Sequence, residues 1–259
     1  MSFDLCGGIA LVGTGNVASH LAHALAPQIK WVFSRSFDHA RGLADDIGAE
    51  PYSDFGMLAR ISPGVVLVSI ADRALAEVVA AIGALDYEPL VLHTSGTMPK
   101  EVLEPLSPRT GILYPLQTFS KGVDVDMSRV PFFNEAAREA DLTLIDAIAA
   151  SISTSVHHAD ATHRQALHVA GVFTSNFTNV LLECVDSILG EAGYSLDVVR
   201  PLLEATVNKA YEVGPHAAQT GPARRGDSAV IEKHVAWLPD RYKDVYRVLS
   251  DLIIKNHNL

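Results

Sequence analysis

The chain has 259 residues, 48% of them hydrophobic and 19% charged, with a mean hydropathy of +0.19. That much apolar material excludes a disordered chain and suffices for one large core or two smaller ones. A net charge of −10 excludes a general attraction to nucleic acid or to an anionic membrane face, although a local basic patch could still take a phosphate. Apolar runs at 9–12, 31–33, 65–70, 90–93 and 112–114 are short and bounded by Gly, Pro or polar residues, so they read as buried strands. Val17, Leu21 and Leu25 recur every four residues up to Pro27, which predicts a helix stopped there. Residues 74–82 repeat the spacing, with Asp72 as the expected N-cap. Strand–helix–strand alternation over residues 1–155 predicts a doubly wound, parallel α/β sheet.

After about Val156 the strand signals end, and residues 156–259 read as an all-α domain. Residues 157–190 carry one helical pattern without proline, roughly 50 Å long. Ala166, Ala170, Phe173, Phe177, Leu181, Cys184 and Ile188 step along it by threes and fours. A stripe that long is expected to pack on helices of a second subunit, which predicts a homodimer. Gly190 and Gly193 end it, and further helices are expected at 196–213, at 228–238 and near the C-terminus. The short junction at 151–156 predicts a fixed cleft between the halves.

The residues Gly13-Thr14-Gly15-Asn16-Val17-Ala18 follow the first strand and open the first helix. This G-x-G-x-x-A turn in its strand–turn–helix setting is the dinucleotide-binding signature of a Rossmann sheet. Gly13 permits the tight turn, Gly15 admits a pyrophosphate, and Ala18 lets helix and strand pack closely. The helix N-terminus then presents free N–H groups and a partial positive charge. At the end of the second strand stand Ser34, Arg35 and Ser36, with no carboxylate to take a ribose 2′-hydroxyl. An arginine flanked by two hydroxyls favours a 2′-phosphate and therefore NADP, with nearby Asp38 keeping NAD open.

Ligands of such sheets bind beyond the carboxyl ends of the strands. Those ends carry Ser69-Ile70-Ala71-Asp72, His93-Thr94-Ser95-Gly96 and Tyr114-Pro115-Leu116-Gln117-Thr118-Phe119. Ile70, Ala71 and Thr94 are candidates to line the nicotinamide. His93 could exchange protons, and Ser95 and Gln117 could orient a carbonyl or carboxamide; each could instead serve as a cap or loop hydrogen bond. On the long helix, His168, Ser175 and Asn179 are seven and four residues apart, which places them on one face, with Asn176 and Glu183 beside it. His157, His158, His163 and His168 lack the spacing of paired ligands on one helix face, so no metal site is expected. The segment Thr220-Gly221-Pro222-Ala223-Arg224-Arg225-Gly226-Asp227 sets two arginines on a turn before a helix capped by Asp227 or Ser228. It fits an anion contact, an intersubunit ion pair, or a turn in which one arginine pairs with Asp227.

On the glycine-rich turn, His93-Thr94-Ser95-Gly96, Tyr114–Phe119 and Thr220–Asp227, the sequence resembles a bacterial family provisionally named NADP oxidoreductases. These join a Rossmann-like domain to a helical C-terminal domain of unknown function. More distantly it is similar to pyrroline-5-carboxylate reductase, the deazaflavin-dependent NADP oxidoreductase and the β-hydroxyacid dehydrogenases. The resemblance implies NADP binding and a helical dimerisation domain, and supplies no substrate. β-Hydroxyacid dehydrogenases carry Lys-x-x-x-Asn on the long helix, whereas this chain has Ser175-x-x-x-Asn179. Serine holds no proton ready near pH 7, so an acid is expected elsewhere, at His168 or His93.

The sequence thus predicts a homodimeric NADP-dependent oxidoreductase acting on a small molecule, with Asn179 orienting the substrate. The alternative is an NADPH-binding sensor without turnover. Cys6 and Cys184 are too few for a disulfide scaffold and read as reduced thiols, which suggests the cytoplasm. No basic segment precedes an apolar run at the start, so no signal peptide is expected. Asp72, Arg73 and Glu77 break the apolar stretch 65–85, so it is not expected to span a membrane.

Overall fold

The computed structural model describes residues 7–258. Cys6 and the segment read for a signal peptide lie outside the described residues. The chain forms two compact units, Met1–Ser175 and Asn176–Leu259.

The first unit alternates strands and helices. Its elements are β1 (Ile9–Val12), α1 (Asn16–Ala24), β2 (Ile29–Phe33), α2 (Phe37–Ile47), β3 (Glu50–Tyr52), α3 (Met57–Ile61), β4 (Val65–Val68), α4 (Asp72–Ile82), β5 (Leu90–His93), β6 (Thr110–Pro115), β7 (Phe132–Ala136), α5 (Glu139–Ala150), β8 (Val156–His158) and α6 (Ala161–Gly171). The strands lie in the order β3-β2-β1-β4-β5-β6-β7-β8. Neighbours are parallel except β6 and β7, which are antiparallel. Period-two alternation along β1 splits the core. Ile9 and Leu11 pack with Leu21 and Leu25 of α1, Leu43 of α2 and Ile145 of α5; Ala10 and Val12 pack with Leu58 of α3 and Leu75 and Val79 of α4. Apolar side chains on both faces explain why these strands read as continuous apolar runs.

Three strands escape that reading. β3 is three residues long, β7 carries Asn134 and Glu135, and β8 reads Val-His-His. β8 corrects the expectation that strands end near Val156 and that the long helix begins at 157. The helix begins at Ala161, capped by Asp160, whose Oδ1 accepts the His163 amide at 2.9 Å. Asp72 is likewise corrected from N-cap to first helical residue. Ala71 occupies the cap, and the Asp72 carboxylate accepts the Thr97 hydroxyl at 2.5 Å.

A π-helical segment, Val172–Phe177, follows α6. Its i→i+5 turn is wider than the 3.6-residue turn assumed for the polar column. Spacings of seven and four residues counted across it therefore no longer define one face.

The second unit contains α7 (Thr178–Glu191), α8 (Arg200–Val213), α9 (Pro215–Ala218), α10 (Ser228–Trp237) and α11 (Asp240–Asn256). Its core is small: Ala223, Ile231 and Val235 with Tyr246, Ile253 and Ile254 against them. Asp227 caps α10 through the Val230 amide at 3.2 Å. Among the described residues, no helix is long and apolar enough to cross a membrane.

Candidate active site

The chain leaves β1 toward β2 and β3 on one side of the sheet and returns at β4 toward β5 and β6 on the other. Strand order reverses between β1 and β4, the position at which sheets of this kind take ligands beyond the carboxyl ends of their strands. The turn after β1 is fixed by two main-chain bonds: the Gly13 amide donates to Phe33 O and the Ser69 amide to Val12 O, both at 2.8 Å. Gly13 has φ of 123°. A Cβ there would overlap the Ser69 carbonyl oxygen and lie 2.9 Å from Ile70 Cγ2. Gly15 differs, because a Cβ there would meet nothing within 4 Å. It is the N-cap of α1, has no side-chain cap, and is followed by no acid in the first turn. The amides of Asn16, Val17 and Ala18 therefore lack intrahelical partners, and the space in front of Gly15 is clear, as a bound diphosphate requires. Thr14 lies half-buried in the turn. The Asn16 side chain is used otherwise: its Nδ2 donates to Phe119 O at 3.0 Å and ties down the loop after β6. A groove of about 780 Å³ is lined by Thr14 and by residues of α1, α2 and the 121–127 loop.

At the end of β2, the Ser34 amide donates to Tyr52 O at 3.1 Å. Ser36 caps α2, its Oγ accepting the His39 amide at 3.4 Å. Arg35 is exposed and reaches across to Glu77 of α4 at 3.4 Å. An exposed pair of this kind contributes about 0–1 kcal/mol and leaves the guanidinium available to a stronger anion.

The ends of β4 and β5 are joined by Thr94 Oγ1 donating to Ser69 Oγ at 3.1 Å. His93 is 1% exposed. Its Nδ1 accepts the Ser95 amide at 3.1 Å, and Nε2–H donates to Pro99 O at 3.2 Å. Burial pushes the imidazole down to about 4, against the pull of the Pro99 carbonyl. His93 is therefore neutral at pH 7 with both nitrogens engaged. This corrects the expectation that it could act as an acid: it holds the 94–99 loop. Ser95 works in the same loop, its Oγ accepting the amides of Thr97 at 3.1 Å and Met98 at 3.0 Å. Gln117 is exposed, and its Oε1 accepts the Thr118 amide at 2.8 Å.

His168 of α6 meets the end of β6. Its Nδ1 lies 3.2 Å from the Tyr114 hydroxyl. One turn earlier Arg164, fully buried, donates to Glu135 of β7 and to Met98 O. Tyr114 entered the sequence reading only as part of a strand-end segment, and Arg164 and Glu135 did not enter it. The available signal was Arg164 four residues before His168, on the same helix face. Asn179 belongs to the second unit, where its Nδ2 donates to Glu183 Oε1 at 3.0 Å. Among the described residues, no group of three or more His, Cys, Asp or Glu is placed to hold a metal ion.

The described architecture recurs in solved structures. A protein from Bacteroides fragilis, described provisionally as an NADP oxidoreductase, is 38% identical over 97% of this chain and 99% of its own, with a TM-score of 0.87. The chain belongs to the family of that protein. The family model described as Domain of unknown function (DUF2520) matches residues 130–253. A Thermotoga maritima protein is 22% identical over 96% of this chain and 98% of its own, with a TM-score of 0.69. A reductive aminase from Aspergillus terreus, solved with NADPH and ethyl-5-oxohexanoate, is 14% identical over 96% of this chain and 93% of its own, with a TM-score of 0.71. These last two share the fold. No curated protein matches the chain.

Proposed function

We propose that the protein is an NADP-dependent oxidoreductase that reduces or oxidises a small molecule at the carboxyl ends of β1, β4, β5 and β6. The observation that carries this reading is the open, uncapped N-terminus of α1 behind Gly13 and Gly15, at the point where strand order reverses. A family member described as an NADP oxidoreductase supports it. In this reading the amides of residues 15–18 hold the diphosphate, and Arg35 with Ser34 takes the 2′-phosphate. Ile70, Ala71 and Thr94 line the nicotinamide. When bound, the cofactor supplies or accepts hydride. Gln117 orients the substrate, Ser95 keeps the 94–99 loop in place, and His168 at the end of β6 serves the supply of the proton that the substrate gains. Arg35→Ala is expected to weaken NADPH binding by about 10- to 100-fold, the loss of one charge-assisted contact, and to leave NADH almost unchanged. Calorimetric titration of both nucleotides checks this, and equal losses would remove Arg35 from the 2′-phosphate site.

The same reading includes a homodimer through the helical unit and a cytoplasmic location. No residue of α7 or α8 is buried. Leu203, Val207 and Tyr211 recur every four residues on α8, and Tyr211 is 86% exposed. Helices keep such a stripe in water only when something covers it. The double variant Leu203→Asp/Tyr211→Asp is expected to sediment as a monomer where the parent sediments as a dimer. A monomeric parent would refute the assembly. Cys184 is a free thiol, as suits a reducing compartment.

A further inference from the structure

β6 and β7 pair with Ile112 opposite Glu135 and Tyr114 opposite Phe133. Opposed residues share a face of the sheet, and so do residues two apart along a strand. Tyr114 and Glu135 therefore leave the sheet on the same side. Arg164 and His168 lie one turn apart on one face of α6. The two faces meet in two polar rungs. In the first, Arg164 Nη1 donates to Glu135 Oε2 at 2.5 Å. In the second, Tyr114 Oη and His168 Nδ1 lie 3.2 Å apart.

The first rung is closed. Arg164 Nη2 donates to Met98 O at 2.9 Å, Lys100 Nζ holds the other Glu135 oxygen at 2.6 Å, and Arg164 Nε is buried without a hydrogen-bond partner. The second rung is only partly closed, with Tyr114 buried and His168 half-buried. Glycine at 96 lets it form, since a Cβ there would lie 2.6 Å from His168 Nδ1 and 2.9 Å from Tyr114 Cζ. Burying a guanidinium with an orphaned N–H is costly, and apolar side chains could dock a helix at lower cost. Its place one turn from a phenol–imidazole pair gives the charge a use.

We propose that Tyr114 and His168 form one proton-sharing pair serving this site, and that Arg164 is the positioning residue that sets it. The inference rests on the reductase reading above. A carbonyl or imine reduced by a nicotinamide bound here would need a proton on its oxygen or nitrogen as its π electrons move there. The Tyr114 O–H bond breaks to protonate that atom. His168 returns a proton to the phenolate and takes one from solvent. Burial raises Tyr114 above its ordinary value, so the phenol keeps its proton at neutral pH, while the Arg164 charge opposes that rise and favours the phenolate. The other charged groups nearby are engaged: Glu135 by Arg164 and Lys100, Glu101 by Lys100, and Asp72 by the Thr97 hydroxyl. His93 is neutral.

Side-chain NMR titration of the full chain without cofactor tests the pair. Tyr114→Phe is expected to change the His168 ring-nitrogen chemical shifts through loss of the phenol–imidazole contact, and Arg164→Met to move Tyr114 ionisation upward, with Arg164→Lys restoring most of it. His168 ring-nitrogen signals unchanged in Tyr114→Phe overturn the pair even if Arg164→Met fails to fold. An unmoved Tyr114 in folded Arg164→Met overturns the role of Arg164. Calorimetry with NADPH on the same samples separates the two levels. A coupled pair without NADPH binding contradicts the reductase reading, whereas NADPH binding with uncoupled side chains contradicts the pair alone.

Discussion

Gly15→Val is expected to cut NADPH affinity by at least about 100-fold, roughly 2.7 kcal/mol, while the protein keeps its fold. Residue 15 is the N-cap of α1 with φ of −75°, a backbone conformation that any residue adopts. A Cβ there meets nothing within 4 Å. The unligated protein therefore has room for valine. The isopropyl group would stand in front of the Asn16 and Val17 amides, where the diphosphate must approach to hydrogen-bond distance. Calorimetry for affinity and a denaturant midpoint for stability check the two halves of the expectation. A variant that binds NADPH as the parent does would reduce this turn to a structural connection.

Gly13→Ala is expected to do the opposite. Here φ is 123°, a region costly for any L side chain, and the new methyl group would overlap the backbone oxygen of Ser69. The neighbour that would have to yield is main chain at the end of β4, held by its own bond to Val12. Strain of about 1–3 kcal/mol and overpacking of about 1–3 kcal/mol together predict a stability loss of about 2–6 kcal/mol. Chemical denaturation of parent and variant measures it. An unchanged midpoint would mean that the turn is not clamped between β2 and β4 as described. Two glycines in one motif thus separate by mechanism, one required by the fold and one kept clear for a ligand.

The sheet was legible where its strands are apolar on both sides. Val-Val-Leu-Val at β4 and Leu-Val-Leu-His at β5 announce themselves because helices cover both faces. β7 and β8 did not, since Asn134, Glu135, His157 and His158 break the apolar run and the strands are short. The glycine turn was legible because it needs particular small residues at fixed spacing. The polar column was not, because a π segment changes the residues per turn within a sequence that carries no local sign of it. His93 looked like an acid as a histidine at a strand end. Its burial, and the Pro99 carbonyl that occupies its second nitrogen, belong to tertiary structure. Arg164 was hidden for a related reason: its partner Glu135 is 29 residues away on a strand the pattern did not reveal.

The most direct test of the account is a crystal structure of the protein with NADPH. The expected result is a diphosphate within hydrogen-bond distance of the Asn16 and Val17 amides, with the 2′-phosphate on Arg35 drawn away from Glu77. Nucleotide bound elsewhere, or crystals that remain empty at this turn under saturating NADPH, would contradict the proposed site.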